Sequence, residues 1–392
     1  VFGLTLVNLS TFDLRTSSRN NQREAAFNAA ETGLETVIGE LSLDPRTGKM
    51  GETFSDTLAD GSSYTVTFDT TSGLPYSVNN LDDLTSGESG YNGRTVPPLH
   101  ALLFARGVSS QGEEAVVECL IRLEGLPYAV AGTGRVTLNN VGVWGSQRLS
   151  EAGAPTLSGN TYSGALGPDS TRLLGLTRVS GDARSAGGIS VLAPAAVNGE
   201  VEPDHEPENL PDLVITDFRN DGTPGVSLRI GAITLDPLLT GQVYFDSDTI
   251  LTGASILNDA TVFVNGDLTV AGTLIGTGTL FVTGETSFLN AIDLGGTNRV
   301  TLFSQGDINI ALASVFQGVL YTHGNINTGP LLATTIFGAA YAVNYSDSSK
   351  GNVNLGSGSN VVHVSELTAF ASSYLGRSGE ANALRVYWSR VK

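Results

Sequence analysis

The sequence predicts a mainly β protein with one long N-terminal α-helix, a small antiparallel sheet behind it, and a β-solenoid (parallel β-helix) over most of the remainder. Three observations carry this expectation. The opening 43 residues favour helix, the composition is rich in glycine and poor in charge, and a motif recurs with a period near twenty.

The helix comes first in the chain. Between Val1 and Leu43 there is no proline, and the only glycines are Gly3 and Gly33. Leu4, Val7, Phe27, Leu34, Ile38 and Leu41 recur at spacings compatible with a 3.6-residue period. The run stops at "LDPRTG", where Pro45 disfavours helix for Asp44. A continuous helix of this span is roughly 60 Å long, more than a globular domain needs. Its front third is nearly uncharged and its apolar residues go all round the helix, which fits burial on every side. Arg15, Arg19 and Arg23 follow, then Glu24, Glu31, Glu35 and Glu40. Ala25, Ala26, Ala29 and Ala30 are small enough to admit a second helix at close range.

"REAAFNAAETGLE" (23–35) resembles the stem of type IV pilin-like proteins, in particular PilX-type minor pilins. Phe27, Ala29, Ala30, Glu31 and Leu34 fall on that family's Ala/Phe-Ala-Ala-Glu signature, and Val1 to Phe12 on the end of its apolar half. The family's chains begin with a prepilin-peptidase site and a nearby acidic residue. Neither lies within Val1–Phe12, which reads as the tail of a longer apolar segment. The resemblance implies a subunit held in the inner membrane by this helix, then extracted by a pilus assembly machinery into an extracellular filament. Identical or related pilin subunits would be its partners. The residues it implies for packing in the filament core are Val1, Phe2, Leu4, Leu6, Val7, Leu9, Phe12, Ala26, Phe27, Ala30 and Leu34.

Residues 44–125 read as a small antiparallel segment, of the kind a pilin-like head carries. Its strands are "SYTVTF" (63–68), "HALLFARGV" (100–108) and "EEAVVECLIRL" (113–123), the last two joined by "SSQG". The stretch 77–98 between the first two is polar and glycine-rich, and reads as an exposed loop.

The solenoid is expected over 126–362, most clearly over 243–345. "VYFDSD", "VFVNGD", "LFVTGE", "LFSQGD" and "LYTHGN" end on Asp248, Asp267, Glu285, Asp307 and Asn325, spaced by 19, 18, 22 and 18 residues, with a looser sixth copy at "AYAVNY". Alternation puts Val262, Val264, Leu268 and Val270 inside. Tyr244, Phe263, Phe281, Phe303 and Tyr321 then form an outward aromatic ladder, an apolar surface that something must cover. The expected cover is a helix over "SELTAFASSYLG" with Leu367, Phe370, Ala371, Tyr374 and Leu375 on one stripe. It opens a C-terminal segment, 363–392, that ends in a closing strand.

Charge and composition exclude several functions. A net charge of −18, with lysine only at 49, 350 and 392, argues against binding nucleic acid. Cys119 is alone in an apolar run and reads as an inert core residue. No Ser-His-Asp arrangement can be assigned, and His100, His205, His323 and His363 show no metal-ligand spacing. The corner carboxylates Asp248, Asp267, Glu285 and Asp307 could serve a glycosidase only if they converged on one face. Satisfying turn amides is the simpler role. The segments "DHEPEN" (204–209) and "RNDGTPG" (219–225) gather oxygen ligands of the kind calcium takes but match no twelve-residue calcium loop, so they read as solvated loops and no cofactor is assigned.

The expectation is therefore a non-enzymatic structural subunit of a cell-surface, type IV pilus-like filament, with the solenoid displayed outside and adhesion as its candidate role. The rivals are a secreted carbohydrate-active or carbohydrate-binding β-helix protein, and a polymer of solenoids stacked end to end, as bactofilins are.

Overall fold

The computed structural model describes residues 2–43, 47–81, 87–97, 99–123, 125–222, 226–229, 233–234, 238–290, 298–312, 314–329, 333–375 and 383–390, with α1 side chains described over 17–41. It is mainly β with one long N-terminal helix, and it divides into two compact units. One comprises Val1–Glu124 and Ser372–Lys392; the other comprises Gly125–Ala371.

In the first unit α1 runs from Phe2 to Leu43. The strands are β1 (Thr53–Thr57), β2 (Ser63–Thr67), β3 (Val78–Asn80), the short ribbon β4 (Glu88–Ser89) and β5 (Thr95–Val96), β6 (His100–Val108) and β7 (Glu114–Leu123). The sheet order is β1-β2-β6-β7, and the strand Ala383–Arg390 adds antiparallel to β7. β3 pairs with the His100–Leu102 end of β6, so part of the stretch expected as an exposed loop belongs to the sheet. Alternation along β6 sets the two faces. Ala101, Leu103 and Ala105 join Val117, Cys119 and Ile121 under α1, while Leu102 and Phe104 face Val78, Val96 and Val116 on the other side. Cys119 is fully buried there, and burial pushes its thiol up to about 11.

The second unit is a solenoid of parallel coils, each with three faces. The first face carries the motif noted in the sequence. Val243, Phe245, Val262, Val264, Leu280, Val282, Leu302 and Leu320 point into a single apolar core, with Leu268, Val270, Ile308 and Ile326 from the second face. Tyr244, Phe263, Phe281, Phe303 and Tyr321 lie between the inward residues in successive register and point away from that core. Tyr341 continues the row as its sixth ring, which places the loose copy at "AYAVNY" in the stack.

The order of the coils in space differs from their order along the chain. The chain enters at Val130 and winds through coils at 130–146, 161–179 and 183–197. It then leaves the stack over 203–222 and rejoins it at the opposite end, at Ser227. From there it winds back through the regular coils until the strands 340–342, 353–355 and 360–364 pair with 130–132, 136–138 and 142–146. The first coil of the chain is thus spliced onto the last.

Candidate functional site

Three features of these units bear on function: the buried face of α1, the covered aromatic ladder, and the corner where the two runs of coils meet.

On α1 the described buried residues are Ala26, Ala29, Ala30, Gly33, Leu34, Val37, Ile38 and Leu41, a stripe at helical spacing. Of the residues expected in a filament core, Ala26, Ala30 and Leu34 lie on this stripe. They are buried against the chain's own sheet, which corrects that expectation. Phe27 is half-buried at the edge of the same cluster. The partner of the small residues is β6 and not a second helix: a Cβ at Gly107 would collide with the Ala26 carbonyl oxygen and the Ala30 amide. Period alone marks a buried stripe without naming what buries it. Val1, Phe2, Leu4, Leu6, Val7, Leu9 and Phe12 lie outside the described side chains. At the tip of the β6–β7 hairpin, Glu113 meets Arg19 at 2.9 Å and Arg23 at 3.6 Å. The Arg19 hydrogen bond leads the causes that hold its carboxyl below the usual range. Among the described residues no helix is long and apolar enough to cross a membrane.

The ladder rings are covered, but not by the C-terminal helix. Phe263, Phe281, Phe303 and Tyr321 are fully buried and Tyr244 nearly so. Their cover is the proline-broken strap 203–222, which runs antiparallel to the coil order. Tyr162 meets it at Glu208, Tyr321 at Pro211 and Leu213, Phe281 at Phe218, and Tyr244 at Arg219. The Phe218 and Phe281 rings stack at 4.3 Å. The two segments read as solvated loops, 204–209 and 219–225, fall at the ends of the strap, and between them Leu210, Leu213, Ile215 and Phe218 are all buried. Helix α2 (Ser365–Leu375) lies elsewhere, its Glu366 carboxylate accepting from the Leu149 amide at 3.0 Å and its Thr368 beside Gly125. The stripe expected on it does include buried Leu367 and Ala371.

The corner carboxylates are occupied. Asp248 Oδ1 accepts from the Asp267 amide, Asp267 Oδ1 from the Glu285 amide, and Asp307 Oδ1 from the Asn325 amide, at 2.7–2.9 Å. Each of these three aspartates thus holds the backbone of the next coil, whereas Glu285 Oε1 accepts from the Ser287 hydroxyl and the Asn309 side-chain amide. The pattern crosses the splice, where Asn325 Oδ1 accepts from Asn352 and Asn352 Oδ1 from Arg135. Burial alone would raise the Asp307 pKa, but Lys350 at 2.9 Å and the Asn325 amide outweigh it and hold it below its ordinary value. Among the described residues no group of three or more His, Cys, Asp or Glu converges as a metal site. His205 sits between Glu202 and Glu208 at 3.0 and 3.1 Å, fastening the start of the strap.

Sequence reasoning missed a cleft of about 980 Å³ at the splice. The regular coils turn this corner in three residues, as at 246–248 or 265–267. Beside the splice the corners lengthen to 343–352 and 164–170, and these loops wall the short corner 133–135 between them. The signal was present as irregular spacing: the motif period breaks after Asn325.

No family model matches the chain, and no curated protein does. Among solved structures, the chain is similar to the competence-associated pilin ComZ from Thermus thermophilus at 14% identity, over 94% of this chain and 98% of that one, with a TM-score of 0.28. It is also similar to an ice binding protein from an Antarctic biological consortium at 12% identity, over 60% of this chain and 87% of that one, again with a TM-score of 0.28. At these scores neither likeness decides fold or function.

Proposed function

We propose that this chain is a structural, non-enzymatic subunit of an extracellular type IV pilus-like filament, in which α1 packs with the stems of neighbouring subunits and the solenoid is displayed outside. The observation that carries this reading is the mismatch of lengths in the first unit. α1 has 42 residues, about 63 Å at 1.5 Å per residue, whereas the longest strand beneath it has ten residues, about 34 Å. The sheet needs the stripe Ala26–Leu41 and ends near Arg19, where Glu113 closes it. The apolar run 2–12 is therefore surplus to the fold of its own head, and neighbouring subunits are the partners it suits. Occupation of the corner carboxylates by backbone amides and neighbouring side chains of the coils supports a scaffold role over an acid–base one.

The test is a comparison of the full chain with one lacking residues 1–18, by sedimentation and negative-stain microscopy. The reading expects concentration-dependent association and filaments from the full chain, and a folded monomer from the shortened one. Fibres from the shortened chain would point to solenoids polymerising through their open ends and would overturn it. So would a full chain that stays monomeric at every concentration.

A further inference from the structure

The cleft at the splice is a binding site for which neither the fold nor the filament reading has a use. It is made where the two runs of coils meet. At the regular corners the aspartate of one coil instead holds the amide of the next. Here the loops 164–170 and 343–352 stand apart on either side of 133–135, and strap residues 207–209 close one end. A volume of about 980 Å³ sits at the upper end of the range that ligand sites occupy, roughly 300–1,000 Å³.

The lining selects the ligand. Two of its three charged side chains are committed: Lys350 is paired with Asp307 at 2.9 Å, and Glu208 is held by Tyr128 and His205, while Arg135 stands exposed at the short corner. Beside Arg135, what the cleft offers a ligand is chiefly amides, hydroxyls and one exposed aromatic ring, the Tyr162 ring in its wall being buried. The side chains of Asn209 and Thr137 have no hydrogen-bond partner among the described residues, and Asn354 uses only its amide nitrogen, on Asn327. Tyr345 supplies the ring. Its hydroxyl is fixed by both the amide and the carbonyl of Leu210, at 2.6 and 2.9 Å, yet the residue is 54% exposed. An anchored, half-exposed ring beside unpaired amides and hydroxyls suits a molecule with apolar C–H faces and a rim of hydroxyl groups. A polyanion is opposed by the net charge of −18. We propose that the cleft binds a neutral oligosaccharide, with Tyr345 as stacking platform and Asn209, Thr137 and Asn354 as hydrogen-bonding partners. This inference stands independently of the filament reading, since every residue it uses belongs to the solenoid.

The experiment is titration of the full chain with cellohexaose, maltohexaose and chitohexaose, followed by calorimetry and by amide chemical shifts. Saturable binding of at least one sugar is expected, weakened roughly tenfold or more by Tyr345→Ala. Because Tyr345 also holds the strap, Asn209→Ala is the second variant. Its side chain is exposed and bears on no fold contact, so it should weaken binding with an unchanged melting temperature. Binding of none of the three at millimolar sugar, or binding that both variants leave intact, overturns the proposal. Tighter binding of a single-stranded oligonucleotide at the same residues would overturn it too.

Discussion

The two units solve one problem in different ways. Each presents an apolar β surface to be covered, the first under α1 and the second along the aromatic ladder. A helix pairs its own backbone groups, so the sheet beneath it need supply only shape: Gly107 and the alanine stripe suffice. The strap is irregular and must find partners for its amides and carbonyls. The ladder provides them. Tyr162, in register with Tyr341 through Ala131, serves Glu208, and Tyr321 serves Leu213 and Pro211, while Tyr345 from the neighbouring corner loop serves Leu210. Where the strap tightens into a 3₁₀ turn at Ile215–Phe218 and pairs its own groups again, the ring opposite is phenylalanine, Phe281. The difference teaches that an irregular cover draws hydroxyls from Tyr162 and Tyr321, whereas the stretch that turns helical needs only the ring of Phe281.

The comparison can be broken or sharpened by substitution. Phe281→Ala should have the largest effect, about 3–5 kcal/mol, because it empties a fully buried site between Phe218 and Phe303. Chemical denaturation should show that loss in the solenoid transition while the first unit's transition holds. Gly107→Val should cost about 2–3 kcal/mol in the first unit, since the added carbons meet helix backbone that cannot yield. If α1 tolerates valine there, close docking is not what holds it.

Tyr321→Phe is the sharper probe. It keeps the ring but leaves the Leu213 amide and the Pro211 carbonyl unpaired, at about 1–3 kcal/mol. Hydrogen exchange at the Leu213 amide should rise with little change in the coils. Unchanged exchange would mean that the strap is held by apolar contact alone.

Asp307→Asn should have the smallest effect, under about 1 kcal/mol at neutral pH, because Lys350 is partly exposed. The folded-state pKa of Asp307 lies below its ordinary value, so its contribution is complete above the ordinary carboxylate range and is lost as pH falls through the folded value. His323 titrates in the same sense. Burial lowers its pKa against the pull of Asp212 at 2.9 Å, so protonating it in acid also works against the fold. A pH series of melting temperatures should therefore be flatter in acid for Asp307→Asn than for the parent chain.

Much of this architecture was legible. Period 3.6 gave α1, period two gave the faces of the coils, and parity sent Phe263 and its counterparts outward. Parity is silent on what lies over an outward ring. α2 has a helical stripe and so looked like a cover, whereas the strap has no period at all. Its burial came from isolated residues, Leu210, Leu213 and Phe218, placed between prolines and acids. The splice was hidden for a related reason. Parallel coils of similar width can stack in any order, and the alternation within one coil does not encode which coil lies next to it. The cleft follows from the splice and was hidden with it.

The splice also determines where length can vary. Residues 130 and 364, at which the chain joins and leaves the stack, lie on adjoining middle coils, while the two open ends are made from interior chain near 197 and 227. Coils gained or lost at either open end, with a strap shortened or extended to match, would leave the points of attachment where they are. Such a solenoid can gain or lose coils over generations without moving the points at which the chain enters and leaves it.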